Sequence, residues 1–409
     1  MDLIVRNARL PSGDAGLVDI GVEGGRFVAI ESHLVAEGEQ IDVGGRLVAP
    51  GLVETHIHLD KSCILDRCPA ASGDLSEAIA EVATAKRDFT PEDVYARAAR
   101  TLEKCILNGA TRMRTQLEVD PVIGLRGLEG VLPLIEDYRW AIDIEICVFP
   151  QEGLLNNPGT DALMVEALKR GARVVGGAPY TDGDPHGQID RIFALAREFD
   201  VDVDLHLDFS LNTDALDLDY VCAAADLYRW GGRTAVGHVT KLSAVPSERF
   251  AAAARRMSDA GVALTVLPST DLFLMGRDRD FNQPRGVTHA HRLLRHGVNC
   301  SLSTNNVLNP FTPFGDGSLL RMANLNANIC HIGATHDMRE CFAMITDRAA
   351  RLINAKDYGV EVGKSADFVV LDCQRPEQAV AELPDVLFAY KRGKRTVTRP
   401  APTLHRDGR

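Results

Sequence analysis

Eight apolar runs of strand length, separated by segments of helical periodicity, constrain this chain more than any other feature. They are LVETHIHL (52–59), ATRMRTQLEV (110–119), IDIEICVFP (142–150), ARVVGGAPY (172–180), VDVDLHLDF (201–209), TAVGHV (234–239), GVALTVLPS (261–269) and GVNCSLSTNN (297–306). The stretches between them include PEDVYARAARTLEKCILNG, GTDALMVEALKRG, IDRIFALAREF, SERFAAAARRMSDAG and HAHRLLRHG. These carry apolar residues at i, i+3, i+4 and i+7 and end in Gly or a polar residue, as amphipathic helices do. Eight successive β-then-α units predict an α/β fold, a (β/α)8 TIM-type barrel.

A second population of β-like runs lies at the two ends. LIVRNARL, DIGVEGGRFVAI and EQIDVGGRLVAP precede the barrel, and ADFVVLD and DVLFAYKRGKRTVT follow it. Their Gly-Gly and Arg-Gly-Lys turns predict antiparallel meanders, combined into one small β-sandwich-like domain built from both termini. The expected organisation is residues 1–50 plus 357–400 for that domain, 51–356 for the barrel and 401–409 for a tail.

Composition narrows the partners. With 45 Lys plus Arg against 57 Asp plus Glu, the formal charge is -12, which repels phosphate backbones and anionic lipid headgroups. No nucleic acid and no membrane partner is expected. The nine cysteines are spread singly with no CxxC pair, and the N-terminus lacks the basic start and long apolar core of a signal peptide. A cytoplasmic protein with reduced thiols is the expectation.

A barrel places its chemistry at the C-terminal ends of its strands. Strand one ends in His56-Ile57-His58, strand five carries His206 and Asp208, strand six ends in His238, and strand eight ends in Thr304-Asn305-Asn306. Residues two apart on a strand project from the same face, and neutral imidazole is a common ligand of divalent cations. His56, His58, His206 and His238 are therefore expected in one cavity, whereas the other eight histidines read as surface or helix-face residues. Weaker expectations concern Gln116 on the inner face of strand two, as a substrate contact or a plug in the barrel floor, and Phe311 after strand eight, to stack on a planar ring. Asp271, Arg277, Arg279 and Asp280 fall in a long charged loop after strand seven, a solvated loop that could also close over the pocket.

VAPGLVETHIHLDK, the single histidines of strands five and six, and the closing GVEVGKSADFVVLD resemble the amidohydrolase superfamily. The likeness extends through RTQLEVD, IDIEICVFPQEGLL, GARVVGGAPY, DVDLHLD, GHVTKLS and NPFTPFGDGSLLRM. It is nearest to the cytosine deaminases and the N-isopropylammelide isopropylaminohydrolases of that superfamily. The resemblance implies one divalent metal ion, zinc or iron, held by His56, His58 and His206, with His238 facing the attacking water or the developing oxyanion. It implies that Gln151, in the FPQEG motif, binds the ring's amide edge as donor and acceptor, that the substrate is a small nitrogen heterocycle hydrolysed at a C–N bond, and that the chain forms a homo-oligomer.

Two positions depart from that pattern. The strand-eight aspartate of the family is Asn305 here, and the glutamate that cytosine deaminases carry three residues beyond the strand-five histidine is Phe209. Either Asn305 coordinates as a neutral ligand while His238 or Asp208 accepts the proton, or Lys61 serves as an acid near the leaving group, or the barrel binds a heterocyclic ligand without hydrolysing it. For Asp208 and Lys61 the competing expectation is a structural salt bridge, Lys61 with Asp60, or a contact that orients the histidines.

Overall fold

The computed structural model describes residues 1–12, 16–400 and 402–405; of the expected tail, positions 401 and 406–409 lie outside the described residues. Five strands come first: β1 (Leu3–Ala8), β2 (Val18–Glu23), β3 (Arg26–Glu31), β4 (Glu39–Asp42) and β5 (Leu47–Pro50). The next eight are β6 (Leu52–Ile57), β7 (Ala110–Glu118), β8 (Asp143–Phe149), β9 (Val174–Gly177), β10 (Asp202–Leu207), β11 (Thr234–His238), β12 (Val262–Val266) and β13 (Cys300–Leu302). Three more close the chain: β14 (Phe368–Leu371), β15 (Val386–Lys391) and β16 (Lys394–Thr398).

Strands β6 to β13 pair in parallel, each with its neighbour in sequence, into one eight-stranded sheet. The sheet curls until its ends meet: Asn305, just past β13, forms a parallel bridge to Ile57 of β6. Helices follow the strands, Pro91–Leu107, Arg126–Asp137, Thr160–Lys169, Pro185–Phe199, Asp217–Tyr228 and Ser247–Ala260 among them. The segment HAHRLLRHG yields only the short helix Ala290–Leu294. The chain has the expected α/β class, a nearly closed barrel with separate sheets made by the termini.

The terminal strands form two four-stranded sheets, in the orders β3-β2-β1-β4 and β16-β15-β14-β5. Most pairs are antiparallel, but β4 lies parallel to β1, because the chain crosses over between β3 and β4 instead of turning back. The two sheets share a core: Phe27 of the first packs on Phe368 of the second, ring centroids 5.8 Å apart, and Phe368 stacks on Tyr390 at 4.4 Å. Strand β5 passes straight into β6 through Gly51, where a Cβ would lie 2.2 Å from Thr111 Oγ1, so only glycine allows the two layers this close. None of the described helices is long and apolar enough to cross a membrane. All nine cysteines are free.

Candidate active site

His56 lies on β6, His58 just beyond its end and His206 on β10, and parallel pairing around the barrel turns all three rings to one point. His206 Nε2 is 3.1 Å from His56 Nε2 and 3.2 Å from His58 Nε2. The rings are held from behind. Phe149 stacks on His206 at 4.5 Å, and a Cβ at Gly237 would meet His56 Cε1 at 3.1 Å, so β11 must be bare there for the imidazole to lie against it.

Burial pushes the pKa of each of these three histidines well below the ordinary value, and neighbouring positive groups add to this: His238 and Arg114 for His56, Lys61 for His58. They are therefore neutral. A neutral imidazole nitrogen carries one lone pair or one hydrogen, so His206 Nε2 cannot satisfy two facing nitrogens by hydrogen bonding. One cation between the three would. At metal–nitrogen bonds of 2.0–2.1 Å a tetrahedral site sets its ligands about 3.3 Å apart, close to the spacing seen. The donor set fits a divalent ion of the zinc type.

His58 and His206 line a small pocket whose wall also includes Lys61, Gln151, Tyr180, Phe209, His238, Thr270, Asn305 and Phe311. Asn305 Oδ1 is buried there without a hydrogen-bond partner. His238 Nδ1 lies 2.6 Å from Asp271 Oδ1, and the Phe209 ring sits 4.0 Å from the His238 ring. Lys61 Nζ donates to Glu118 at 2.9 Å and to Gln151 Oε1 at 3.1 Å, and stands 5.3 Å from the rings of both Phe149 and Phe311. Asp208, His238 and Asn305, at the ends of β10, β11 and β13, have φ of 49°, 70° and 60°. Such left-handed conformations, unusual outside glycine, turn the chain abruptly at the cavity rim, where strain of this kind collects in functional sites.

The expected residues do not all meet. Asp208 is not part of the cavity wall: its carboxylate takes Lys241 at 2.8 Å and the backbone N–H groups of Asp217 and Leu218 at the start of a helix. Gln116 is fully buried but does not line the cavity, and neither of its amide atoms has a hydrogen-bond partner. Lys61 pairs with Glu118 and not with Asp60, whose Oδ2 accepts instead from the Glu118 N–H at 2.9 Å. Gln151 lines the pocket, and its carbonyl oxygen accepts one hydrogen bond from Lys61. The solvated loop after strand seven starts later than expected, at Met275, because Pro268 opens the helix Pro268–Leu274 and places Asp271 in the interior at 0% exposure. Of the other eight histidines, none is fully buried.

Several buried polar residues had no individual place in the sequence reading. Glu54 accepts from the His56 N–H at 3.1 Å and from Thr304 Oγ1 at 2.7 Å, and burial pushes its carboxyl up to about 7. Asp204 Oδ1 lies 3.9 Å from His56 Nδ1, and its other oxygen accepts from Arg114 at 3.0 Å. Lys86 donates to Glu118, Asp120 and Glu152, so this acidic cluster already holds its cation. LVETH and DVDLH do hint at Glu54 and Asp204, acids two residues ahead of the clustered histidines His56 and His206 on the same strand face.

Comparison with known proteins places these observations. The amidohydrolase family profile matches residues 81–397. The N-isopropylammelide isopropyl amidohydrolase of Pseudomonas sp. (strain ADP) is 28% identical over 404 residues, 96% of each chain. Crystal structures of 5-methylcytosine deaminase from Klebsiella pneumoniae liganded with 5-fluorocytosine, and of N-isopropylammelide isopropylaminohydrolase from Burkholderia multivorans ATCC 17616, are each 28% identical to this chain. The first superposes with TM-score 0.93 over 98% of this chain and 99% of that one, the second with 0.86 over 97% and 98%.

Proposed function

The chain belongs to the amidohydrolase family, and on that premise we propose that it hydrolyses an exocyclic C–N bond of a small, planar nitrogen heterocycle. The observation that carries the reading is the convergence of three neutral imidazoles on one point, two of them, His58 and His206, in the wall of a pocket that also holds an unpartnered amide oxygen, Asn305 Oδ1. His56, His58 and His206 would hold a divalent ion, zinc or iron, with Asn305 as a neutral fourth donor. Such an ion, when bound, supplies Lewis acidity that brings the pKa of a water into the neutral range.

The remaining groups bind the ring and move protons. Phe209 and Phe311 flank the cavity and suit a flat ring. Lys61 has three hydrogens, two of which go to Glu118 and Gln151; its third and the Gln151 amide N–H give the cavity two donors. No Asp or Glu is among the described residues lining it. This polarity supports a substrate whose bound edge carries oxo groups. His238 receives a proton from the attacking water as the oxygen bonds to the ring carbon. The same proton passes to the departing nitrogen as the C–N bond breaks, so that ammonia or an amine leaves and an oxo or hydroxy group replaces it. Asp208 and Gln116 take no direct part.

Metal analysis of the protein purified without chelator is expected to give about one ion per chain. The zinc- or iron-loaded protein is then assayed for ammonia or amine release from a panel that includes N-isopropylammelide, 5-methylcytosine and related oxo-triazines and pyrimidines. Saturable binding of panel members with no release from any would favour a barrel that holds a heterocycle without turnover, a reading that the amide at position 305 keeps open. An ion content near zero that added metal cannot restore would remove the basis of the proposal.

A further inference from the structure

We propose that Asp271 is a positioning residue that sets the tautomer and orientation of His238, and that this pair replaces the carboxylate which the family resemblance places at position 305. The inference rests on the reading above that His238 receives the proton. Asp271 is fully buried in the helix Pro268–Leu274 that follows β12, where Oδ1 lies 2.6 Å from His238 Nδ1 and Oδ2 accepts from the Leu267 N–H at 3.3 Å. Its helix is pinned across the barrel mouth by Thr270, whose Oγ1 is 2.6 Å from Thr312 Oγ1. The carboxylate therefore has one place to be.

An ionised carboxylate only accepts hydrogen bonds, so the hydrogen between the two groups sits on Nδ1. In the neutral imidazole that leaves Nε2 bare, the one tautomer able to take a proton from water on the edge of the ring away from Asp271. Once His238 has taken it, the imidazolium stands against a buried negative charge that needs no rearrangement to meet it. The described residues lining the cavity include no carboxylic acid; Phe209, Thr270, Asn305 and Asn306 are among them. A carboxylate at 305 would lie beside the histidine triad; here the carboxylate lies behind His238, against its Nδ1.

Ring-15N-labelled histidine in the full-length zinc-loaded chain tests this, with the His238 signals assigned by their loss in His238→Gln. The expected result is the Nδ1–H tautomer in the parent and in Asp271→Glu, and the Nε2–H tautomer in Asp271→Asn, whose amide can donate to Nδ1. Zinc content should stay at about one per chain in all of them. With N-isopropylammelide or 5-methylcytosine as substrate, Asp271→Asn should lower kcat by roughly 10²- to 10⁴-fold while KM moves by less than about threefold, and Asp271→Glu should recover part of the loss. An unchanged tautomer in Asp271→Asn, or kcat reduced less than about fivefold, would overturn the inference. If no member of the heterocycle panel is turned over by the parent, the hydrolase reading fails while the tautomer still decides this one. Should the amide variant not fold, the Nε2–H form in the parent or in Asp271→Glu would refute the proposal equally.

Discussion

The peptide of Asn305 is held on both sides by the His56–His58 strand end: its N–H donates to the His56 carbonyl at 2.9 Å, and its carbonyl accepts from the His58 N–H at 2.9 Å. The link that closes the barrel is thus also the link that sets the 305 side chain beside the imidazole cluster. Backbone bonds place the residue, so its side chain can change without loosening the closure. A φ of 60° is one that Asn and Asp both tolerate.

Asn305→Asp is accordingly expected to fold as the parent does, with an unchanged far-ultraviolet spectrum. It should also bind zinc on the order of 10-fold more tightly, because a neutral oxygen donor becomes an anionic one. Competition with a chromogenic chelator reads the affinity directly. Equal or weaker binding would mean that the 305 side chain does not face the ion.

His206→Ala removes the nitrogen common to both short imidazole contacts. Ion content after dialysis should fall to background, and the melting temperature should no longer rise on adding zinc. A ligand at 100 times its dissociation constant stabilises a folded chain by about 2.7 kcal/mol, and that increment should vanish. Parental ion content in the variant would place the metal elsewhere.

What was legible in the sequence and what was not have separable causes. The barrel strands are covered on both faces and read as short apolar-rich runs between helical segments, so VDVDLHL and GVALTVL could be placed to within a few residues. Histidines interrupting such runs stand out. Asp271 did not, because PSTDLFL precedes the charged GRDRD and looks like the beginning of the same loop; only the helix geometry that follows Pro268 turns it inward. Lys86 was equally hidden. In AKRDF it has the surroundings of a solvated residue, and its three carboxylate partners come from the ends of β7 and β8 and the turns beyond, far away in sequence. Pairings of this kind belong to the closed barrel and leave no local pattern.

Lys86 itself gives a stability prediction. Burial works against its charge, but the Glu118 carboxylate and the hydrogen bonds that Lys86 donates to Asp120, Glu118 and Glu152 hold its pKa above the ordinary value. Lys86→Met would leave Glu118 with Lys61 alone and strip Asp120 of its cation. Removing one member of a buried pair costs about 3–5 kcal/mol, so the urea midpoint should fall clearly. Loss of less than about 1 kcal/mol would mean that water or another cation reaches the cluster.

Outside the active site, His291 predicts a pH dependence. Burial, with the neighbouring His289 next, pushes its pKa down to about 4. In the unfolded chain a histidine titrates near 6.5. As pH falls from about 6.5 toward 4, the unfolded state gains a proton that the folded state refuses, so the stability from this group is present above that window and is lost within it. One proton contributes at most about 1.4 kcal/mol per pH unit. In His291→Gln the decline in unfolding free energy between pH 7 and about 5 should be shallower than in the parent. Parallel curves would show that His291 titrates alike in both states.

Asp204 connects the ligand cluster to the barrel interior. One oxygen takes Arg114 at 3.0 Å, and Arg114 in turn donates to Glu145 at 2.6 Å; the other lies 3.9 Å from His56 Nδ1 with no hydrogen-bond partner of its own. At that distance the carboxylate favours a hydrogen on Nδ1, which keeps His56 Nε2 free to coordinate. Asp204→Asn weakens that bias and removes a charge from the buried Arg114, so two losses are expected together. Zinc affinity should fall by roughly 10- to 100-fold, as it does when carboxylates behind ligand histidines are replaced. Stability of the metal-free protein should fall by about 3 kcal/mol or more, since one partner of a buried ion pair has gone. Arg114→Met separates the two effects: it should cost comparable stability while leaving Asp204 to hold His56. Full zinc affinity in Asp204→Asn would show that the imidazole is oriented by its packing against Gly237 and Phe149-braced His206 alone.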